Sequence, residues 1–203
     1  MSRTPVQERA QKTRDRIMQA ALSAFTERGY AASSMEQIAE IAGVTRGPLY
    51  HFFDDKLDLF RAVHTEVERE LARVIALAVG ERMPEAKDAL DEVRLGAQAY
   101  LDVCQSPVVQ QIVLVDAPHV LARGASREVA EFGLELLRTG LRRAMQKGCI
   151  AGRPTDPLAR VLRAAITEGA IYVARAEDKT RAREEAGAAV DALIEGLRIP
   201  DLN

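Results

Sequence analysis

The chain has 203 residues, 47% of them apolar and 29% charged, which allows one large domain or a small and a larger one with packed cores. Its net charge of −2 excludes a basic surface spread over the whole molecule, so any nucleic-acid-binding surface must be local. The first residues are polar, and no apolar run approaches the ~20 residues of a membrane span. We therefore expect a cytoplasmic protein with no membrane partner. Two cysteines at no metal-binding or redox spacing indicate buried thiols, and we expect no metal and no cofactor.

Apolar residues recur at spacings of three and four, and no sustained alternation is present, so the sequence predicts an all-α fold. We expect about nine helices, the seventh capped by Ser126. The predicted ranges are 7–28, 35–41, 46–53, 56–79, 85–105, 107–115, 126–147, 157–176 and 180–197.

Glycine and proline mark the predicted helix ends. Gly29 and Gly43 stand where a left-handed residue closes a helix, so they should end the first and second helices. Residues 80–84 should break the fourth helix. Pro118 and Gly124 should mark another break.

Two helices joined by a short turn with glycine are typical of a helix-turn-helix, here 35–41 and 46–53 around 43–45. In that motif the N-terminal residues of the second helix face base edges in the major groove. Ser34 with Gln37, or Ser33 with Glu36, makes a capping box for the first helix of the pair. The same serines, with the free N–H groups of that helix start, can bind phosphate.

The start of the second helix suits close approach to DNA. Arg46 can donate two hydrogen bonds to guanine, and Gly47 has no side chain to hold the backbone away. Pro48 fits the first turn and can pack on a thymine methyl. Tyr50 lies one turn beyond Arg46 and can reach a phosphate or a base edge, and His51 can donate to phosphate.

The remaining side chains of this helix suit a buried face. Leu49, Phe52 and Phe53 can hold a helix that is too short to be stable alone. Lys56 follows beside the same groove. The first sixteen residues carry five basic and two acidic side chains, a composition that suits an arm following phosphates or the minor groove.

Residues 17–56 carry the pattern I-x-x-A-A-L-x-x-F-x-x-x-G-Y followed by S-M-E-Q-I-A-E-I-A-G-V-T-R-G-P-L-Y-H-F-F-D-D-K. This pattern resembles the N-terminal domain of TetR-type transcriptional regulators. The resemblance implies a DNA-binding domain at 1–56 and an effector-binding and dimerisation domain at 57–203. It implies a homodimer that binds a palindromic double-stranded DNA operator, with a small-molecule effector in the C-terminal body. The groove-facing residues carried over are Thr45, Arg46, Gly47, Pro48, Tyr50 and His51, and the phosphate-facing ones are Ser33, Ser34 and Lys56.

Two positions depart from the family pattern. Residue 48 is often another small residue, so Pro48 is expected to shift base preference. Residue 52 is often His or Tyr, and Phe52 cannot make the phosphate hydrogen bond expected there. Repression is the default activity that the resemblance implies.

The last two predicted helices carry apolar stripes suited to a four-helix dimer interface. The candidate interface residues are Leu162, Ile166, Val190, Ile194 and Leu197. The alternative is that these stripes close the core of a single chain.

A nearly charge-free region suggests an apolar effector pocket with few polar groups. Residues 113–121 also resemble the segment that borders the effector cavity in one TetR subgroup. The candidate pocket residues are Tyr100, Cys104, Val109, Ile112, Asp116, His119, Glu168 and Tyr172. A helix-capping Asp116 and a hydrogen-bonded core His119 are equally good interpretations.

Two other functions are possible alternatives for a helical chain of this length. No histidine has a glutamate three residues before it, and there is no P-loop, G-x-S-x-G or Cys/His cluster, so an enzyme is disfavoured. A helical interaction or ligand-carrier module with a relic DNA-binding head is the second alternative. The presence of Arg46, Tyr50 and Lys56 together disfavours it.

Overall fold

The computed structural model describes residues 5–121 and 132–200, and the all-α prediction is confirmed there. The predicted cap at Ser126 and break at Gly124 lie outside the described residues. The helices are α1 (Pro5–Ala32), α2 (Met35–Ala42), α3 (Arg46–Phe52), α4 (Lys56–Arg82), α5 (Ala89–Val103), α6 (Pro107–Val109), α7 (Ala117–Val120), α8 (Phe132–Gln146), α9 (Thr155–Arg175) and α10 (Lys179–Glu195). A 3-10 turn (Met83–Glu85) follows α4, and a π-helical stretch (Gln110–Asp116) joins α6 to α7. Counting α6 to α7 as one run gives nine helices in this part of the chain.

The turn between α2 and α3 forms as the sequence predicts. Ser34 and Gln37 make the reciprocal capping box at the start of α2. Gly43 ends α2 with φ +61°, a left-handed conformation that glycine adopts without a Cβ clash. The N–H of Gly43 donates to the carbonyl of Glu40, and that of Val44 to Ala39, so two helix-end carbonyls are satisfied.

Helix α1 is bent where it was predicted to end. Gly29 has φ +76° and ψ 166°, and helical turns resume as far as Ala32. Asp55 starts α4 by accepting a hydrogen bond from the N–H of Asp58 at 2.7 Å.

The break predicted at residues 80–84 is confirmed, although α4 ends at Arg82 and not at residue 79. Helix α4 continues through Gly80, because one exposed glycine only weakens a helix, and it stops before Pro84, which lacks the N–H that a further turn needs. The break predicted at Pro118 is wrong, because the helical run after Pro107 passes it. That proline lies in the first turn of α7, directly after the π-helical stretch, where its missing N–H costs no necessary bond.

Packing divides the described residues into two compact units. The first holds the described residues 5–67 and 111–121, and the second holds 68–110 and 132–200. This division falls inside α4, between Val67 and Glu68. The functional boundary expected at residue 56 remains a prediction. No helix among the described residues is long and apolar enough to cross a membrane.

In the second unit, α5 packs against α8, α9 and α10, and α9 packs against both α8 and α10. Gly148, with φ +74°, ends α8. The segment after α10 pairs once with the segment after α8, through an isolated antiparallel bridge between Ile150 and Arg198. The Arg198 guanidinium also forms ion pairs with Glu195 and with Asp88, and the pair with Asp88 ties the segment after α10 to the start of α5.

Candidate nucleic-acid interface and ligand cavity

The first turn of α3 is open to solvent. Thr45, Arg46 and Gly47 are exposed, and apart from its chain neighbours and the backbone of α3 no atom of the described residues lies within 4 Å of a Cβ built on Gly47. Thr45 occupies the cap position, but its hydroxyl makes no capping hydrogen bond. Tyr50 is 46% exposed and lies one turn beyond Arg46, so the two side chains share a helix face.

The opposite face of α3 anchors the helix. Leu49 is fully buried and Phe53 is 3% exposed, as expected. The guanidinium of Arg14 lies 5.5 Å from the Phe53 ring centroid. Phe52 is only half-buried, with its ring edge-on to exposed His51 at a centroid distance of 5.1 Å.

Arg16 fixes the turn itself. Its guanidinium donates to the carbonyl of Ala42 at 2.5 Å and to that of Gly43 at 2.7 Å. These bonds satisfy carbonyls at the end of α2 and tie α1 to the turn that aims α3. Arg16, one of the five basic residues of the predicted arm, therefore has a structural role.

The two serines before α2 have different roles. Ser33 is 3% exposed, and its hydroxyl donates to the carbonyls of Ala24 and Gly29. The predicted phosphate contact of this side chain is therefore wrong, and its role is structural. The pattern alone could not separate the serines, because adjacent residues point in different directions only once α1 is placed. Ser34 is half-exposed, and its oxygen accepts from Gln37 N–H, which leaves its own O–H to donate.

Lys56 holds the end of α1. Its ammonium donates to the carbonyls of Tyr30 and Ser33, both at 2.9 Å, and lies 4.2 Å from the centroid of the Tyr30 ring. Two of its three donors are therefore used within the protein. Lys56 therefore has a structural role, and its phosphate contact stays a prediction.

An aromatic cluster that was not predicted from the sequence supports the same region. The Phe60 ring lies 5.3 Å from Phe25 and 5.0 Å from Tyr30, both edge-on, and Phe60 is fully buried. The N–H of Tyr30 donates to Asp116 at 2.8 Å. Asp116, predicted as a pocket or capping residue, instead binds the backbone at the bend of α1.

The second unit contains a cavity of about 300 Å³ between α4, α5, α8 and α9. Its apolar wall comes from Leu71, Ile75, Val79, Val93, Leu136, Leu137 and Ile166. Of the eight predicted pocket residues, only Tyr100 lines this cavity.

Charged side chains interrupt the apolar wall of the cavity at two places. Burial raises the pKa of Glu68, and the positive charge of Arg163 partly offsets that rise. Glu92 and Arg143 form an ion pair at 3.0 Å, in which the carboxylate is the more buried partner.

Tyr100 supplies a neutral polar group, because burial raises the pKa of its hydroxyl, whose oxygen lies 3.4 Å from that of Thr167. The charged pairs were not among the predicted pocket residues. Glu68, inside the apolar stripe of α4, was the available signal.

The other predicted pocket residues lie elsewhere for recognisable reasons. Cys104 is buried beside Tyr100, and burial raises the pKa of its thiol to about 12, as expected for an inert core thiol. Val109 and Ile112 are core residues, and His119 is exposed rather than in the core. Glu168 and Tyr172 lie on the exposed face of α9. A charge-free run cannot distinguish a cavity wall from a filled core.

The predicted dimer stripes prove to be core of the single chain. Leu162, Ile166, Val190 and Ile194 are at most 5% exposed, and Leu197 is half-buried. This corrects the interface prediction in favour of the alternative considered with it. The exposed faces of the same helices carry other apolar side chains: Val161 is 69% exposed, Tyr172 50% and Leu193 55%.

Fold and site together define a helix-turn-helix protein with a separate helical unit that contains a cavity. Residues 17–63 match the model of the bacterial regulatory proteins of the tetR family. Residues 90–197, more than half of the chain, match the model of the tetracyclin repressor-like C-terminal domain. The chain belongs to the TetR family of DNA-binding transcriptional regulators.

Similar proteins agree with this assignment. A probable acrEF/envCD operon repressor of Escherichia coli strain K12 is 28% identical over 147 residues, 70% of this chain and 66% of that protein. The regulator TtgR of Pseudomonas putida is 48% identical over 56 residues, 28% of this chain and 27% of TtgR. The chain thus matches less than two thirds of the length of these relatives. They are regulators and not enzymes, in agreement with the prediction.

Solved structures extend the likeness along the chain. A TetR-family regulator of Pectobacterium atrosepticum is 31% identical, with a TM-score of 0.77, and the match covers 97% of this chain and 98% of that one. The fatty acid degradation regulator FadR of Bacillus halodurans is 20% identical, with a TM-score of 0.70 over 91% of this chain and 99% of that one. The second match is a likeness of fold alone.

Proposed function

We propose that this protein is a ligand-responsive regulator that binds a palindromic operator as a homodimer and is released by a small amphipathic effector. The exposed first turn of α3, held by a buried opposite face, is the observation that carries the DNA-binding part. The default sign is repression, since the names of several relatives describe repressors. Its partner places it in the compartment that holds DNA, the cytoplasm.

Each residue of the α3 surface has a role in this proposal. Arg46 donates to guanine O6 and N7, and Pro48 packs on a thymine methyl. Gly47 lets the backbone approach the groove. Tyr50 and His51 donate to phosphate or a base edge.

Two hydroxyls complete the proposed contacts. Thr45, free of a capping bond, and Ser34, with its O–H available, donate to phosphate at the starts of α3 and α2.

The proposed dimer uses the exposed faces of α9 and α10. Val161 and Leu193 supply apolar area there, and Ala189 and Ala192 allow close helix approach. A four-helix interface of this kind satisfies two-fold symmetry, because each subunit contributes the same patch.

The proposed effector binds the cavity of the second unit. A volume of about 300 Å³ suits a small ligand, and the wall is mostly apolar. The polar part of the ligand meets Glu68 or Glu92, whose arginine partners can move to balance the charge. An amphipathic molecule fits this division better than a purely polar one.

Operator binding is tested by selecting bound duplexes from a random pool and measuring affinity by fluorescence anisotropy. A palindrome should emerge, and Arg46→Ala should lower its affinity by about 1–3 kcal/mol with relaxed preference at one base pair per half-site. Arg153→Ala, an exposed charge of the second unit, is the control. Recovery of no palindrome at moderate salt would favour the carrier-module alternative.

Dimerisation is tested by sedimentation at micromolar concentration with Leu193→Asp. The wild type should sediment as a dimer and the variant as a monomer. Leu77→Asp, at a residue 53% exposed on α4, should remain dimeric. A monomeric wild type would contradict the two-fold operator geometry.

Effector binding is tested by thermal shift against a panel of metabolites and drugs, since a ligand of the folded state raises apparent stability. Gly96→Val narrows the cavity and should abolish the shift, while Gly80→Val, outside it, should not. An equal shift in both variants would place the ligand elsewhere.

A further inference from the structure

The exposed side chains of residues 34–51, here called the reading surface, include a carboxylate that phosphate contact does not explain. Glu36 lies in the first turn of α2, and its Oε1 is 3.4 Å from Nη2 of Arg46. Both side chains are largely exposed, 49% for Glu36 and 71% for Arg46. A negative charge here opposes approach to phosphate, so its presence needs another reason.

We propose that Glu36 is a positioning residue for Arg46 and increases base specificity at the expense of nonspecific affinity. This inference rests on the proposed DNA-binding function of α3. An arginine has five N–H donors in a planar fork. One edge can donate to guanine while another faces the Glu36 carboxylate.

The benefit of the pair depends on the DNA. On the operator, Glu36 orders a long side chain before binding, so less conformational entropy is lost in the contact with guanine. On random DNA the same guanidinium would turn to a phosphate. The nearby carboxylate competes for it and repels the phosphate, so nonspecific binding gains less.

The test compares Glu36→Ala with Glu40→Ala, which removes the same charge from an exposed residue of the same helix that forms no ion pair with Arg46 in the described structure. Affinity is measured on the duplex selected by the wild type, on its single-base variants and on a random duplex of equal length. Circular dichroism checks that both variants fold.

Glu36→Ala should bind random DNA about fivefold more tightly, with a salt slope steeper by about one unit, because Arg46 then neutralises a phosphate. Discrimination at the base pair that depends on Arg46 should fall by about fivefold. Glu40→Ala should leave that discrimination unchanged.

The decisive measurement repeats the comparison in an Arg46→Ala background. If Glu36 acts through Arg46, Glu36→Ala has no further effect on base discrimination there. A persistent effect would show that Glu36 contacts a base itself. Equal effects of Glu36→Ala and Glu40→Ala would mean that Glu36 acts only through its negative charge and does not position Arg46. Either result overturns the inference while operator binding by the wild type keeps the proposed function intact.

Discussion

The reading surface and the cavity differ in how far apart their residues lie in the sequence. The surface draws its side chains from residues 34–51, within two short helices and one turn. The cavity draws its lining from four helices between residues 68 and 167. Short-range rules of capping, turns and helix faces therefore predicted the local geometry of the reading surface, whereas the cavity depends on how distant helices pack.

The apolar stripes of α9 and α10 also show that local patterns do not determine which surfaces pack together. Helical periodicity correctly identified Leu162 and Val190 as apolar-face residues. Whether such a face meets its own chain or a second copy is not encoded in the period. In the structure these residues are buried by their own chain, and the opposite face, with Val161 and Leu193, is left exposed.

The largest expected effect tests whether the local motif stands without long-range support. Phe60→Ala should lower the free energy of unfolding by about 3–5 kcal/mol, because it empties the centre of the cluster with Phe25 and Tyr30. Urea unfolding followed by circular dichroism measures it. Phe52→Ala, at a half-buried position, should cost far less, and equal costs would mean that the cluster is not the main support.

The next effect is a pH dependence of stability that originates at His64 of the first unit. Burial lowers the pKa of His64 to about 4, so the folded state holds this residue neutral. Between pH 7 and 5 the unfolded chain binds the extra proton, and stability should fall by about 2 kcal/mol from this residue. The stabilising effect is fully present above the ordinary histidine pKa of about 6.5 and is lost as pH falls towards 4.

His64→Leu isolates this contribution at equal protein concentration. Glu68 acts in the opposite sense, since its raised pKa gives stability that is lost as pH rises. Because Glu68 is present in both proteins, the difference between them reports on His64. The wild type should lose about 2 kcal/mol more unfolding free energy than the variant between pH 7 and 5. Parallel pH profiles would mean that the pKa of His64 is the same in the folded and the unfolded protein.

Substitutions at two glycines distinguish an effect on stability from an effect on operator binding. Gly43→Ala should cost about 1–2 kcal/mol of unfolding free energy, because φ is +61° and the new Cβ would lie 3.1 Å from Arg16 Nη2. Gly47→Ala should preserve or slightly raise stability, since its Cβ meets no atom, yet it should weaken operator binding. Undiminished operator affinity in Gly47→Ala would argue against close backbone approach.

The smallest effect decides between two roles for Lys56. Lys56→Met should cost about 1 kcal/mol of stability through the lost bonds to the Tyr30 and Ser33 carbonyls. The salt dependence of DNA binding, measured on random duplex, should not change. A slope reduced by about one unit with unchanged stability would return Lys56 to the phosphate contacts.

Much of the first unit could be predicted because its signals are local. Ser34 and Asp55 accept hydrogen bonds at the starts of nearby helices, and Gly43 ends one. The residue type alone predicts each of these roles. Lys56 and Ser33 could not be assigned in this way, since their partners are backbone carbonyls at the end of α1 or within it, 4 to 26 residues away. Asp116 is more distant still, binding a backbone N–H 86 residues away.

By itself, the sequence determined that the chain is all-α, where the helix-turn-helix lies, and which end of α3 is bare. These follow from capping, periodicity and side-chain size, which act over one or two helical turns. Only the tertiary structure decided which apolar faces are core, where the cavity opens, and that Glu68 and Glu92 line it. Those outcomes depend on the packing of distant helices, in which every apolar stripe has several possible partners and volume and polar satisfaction select one.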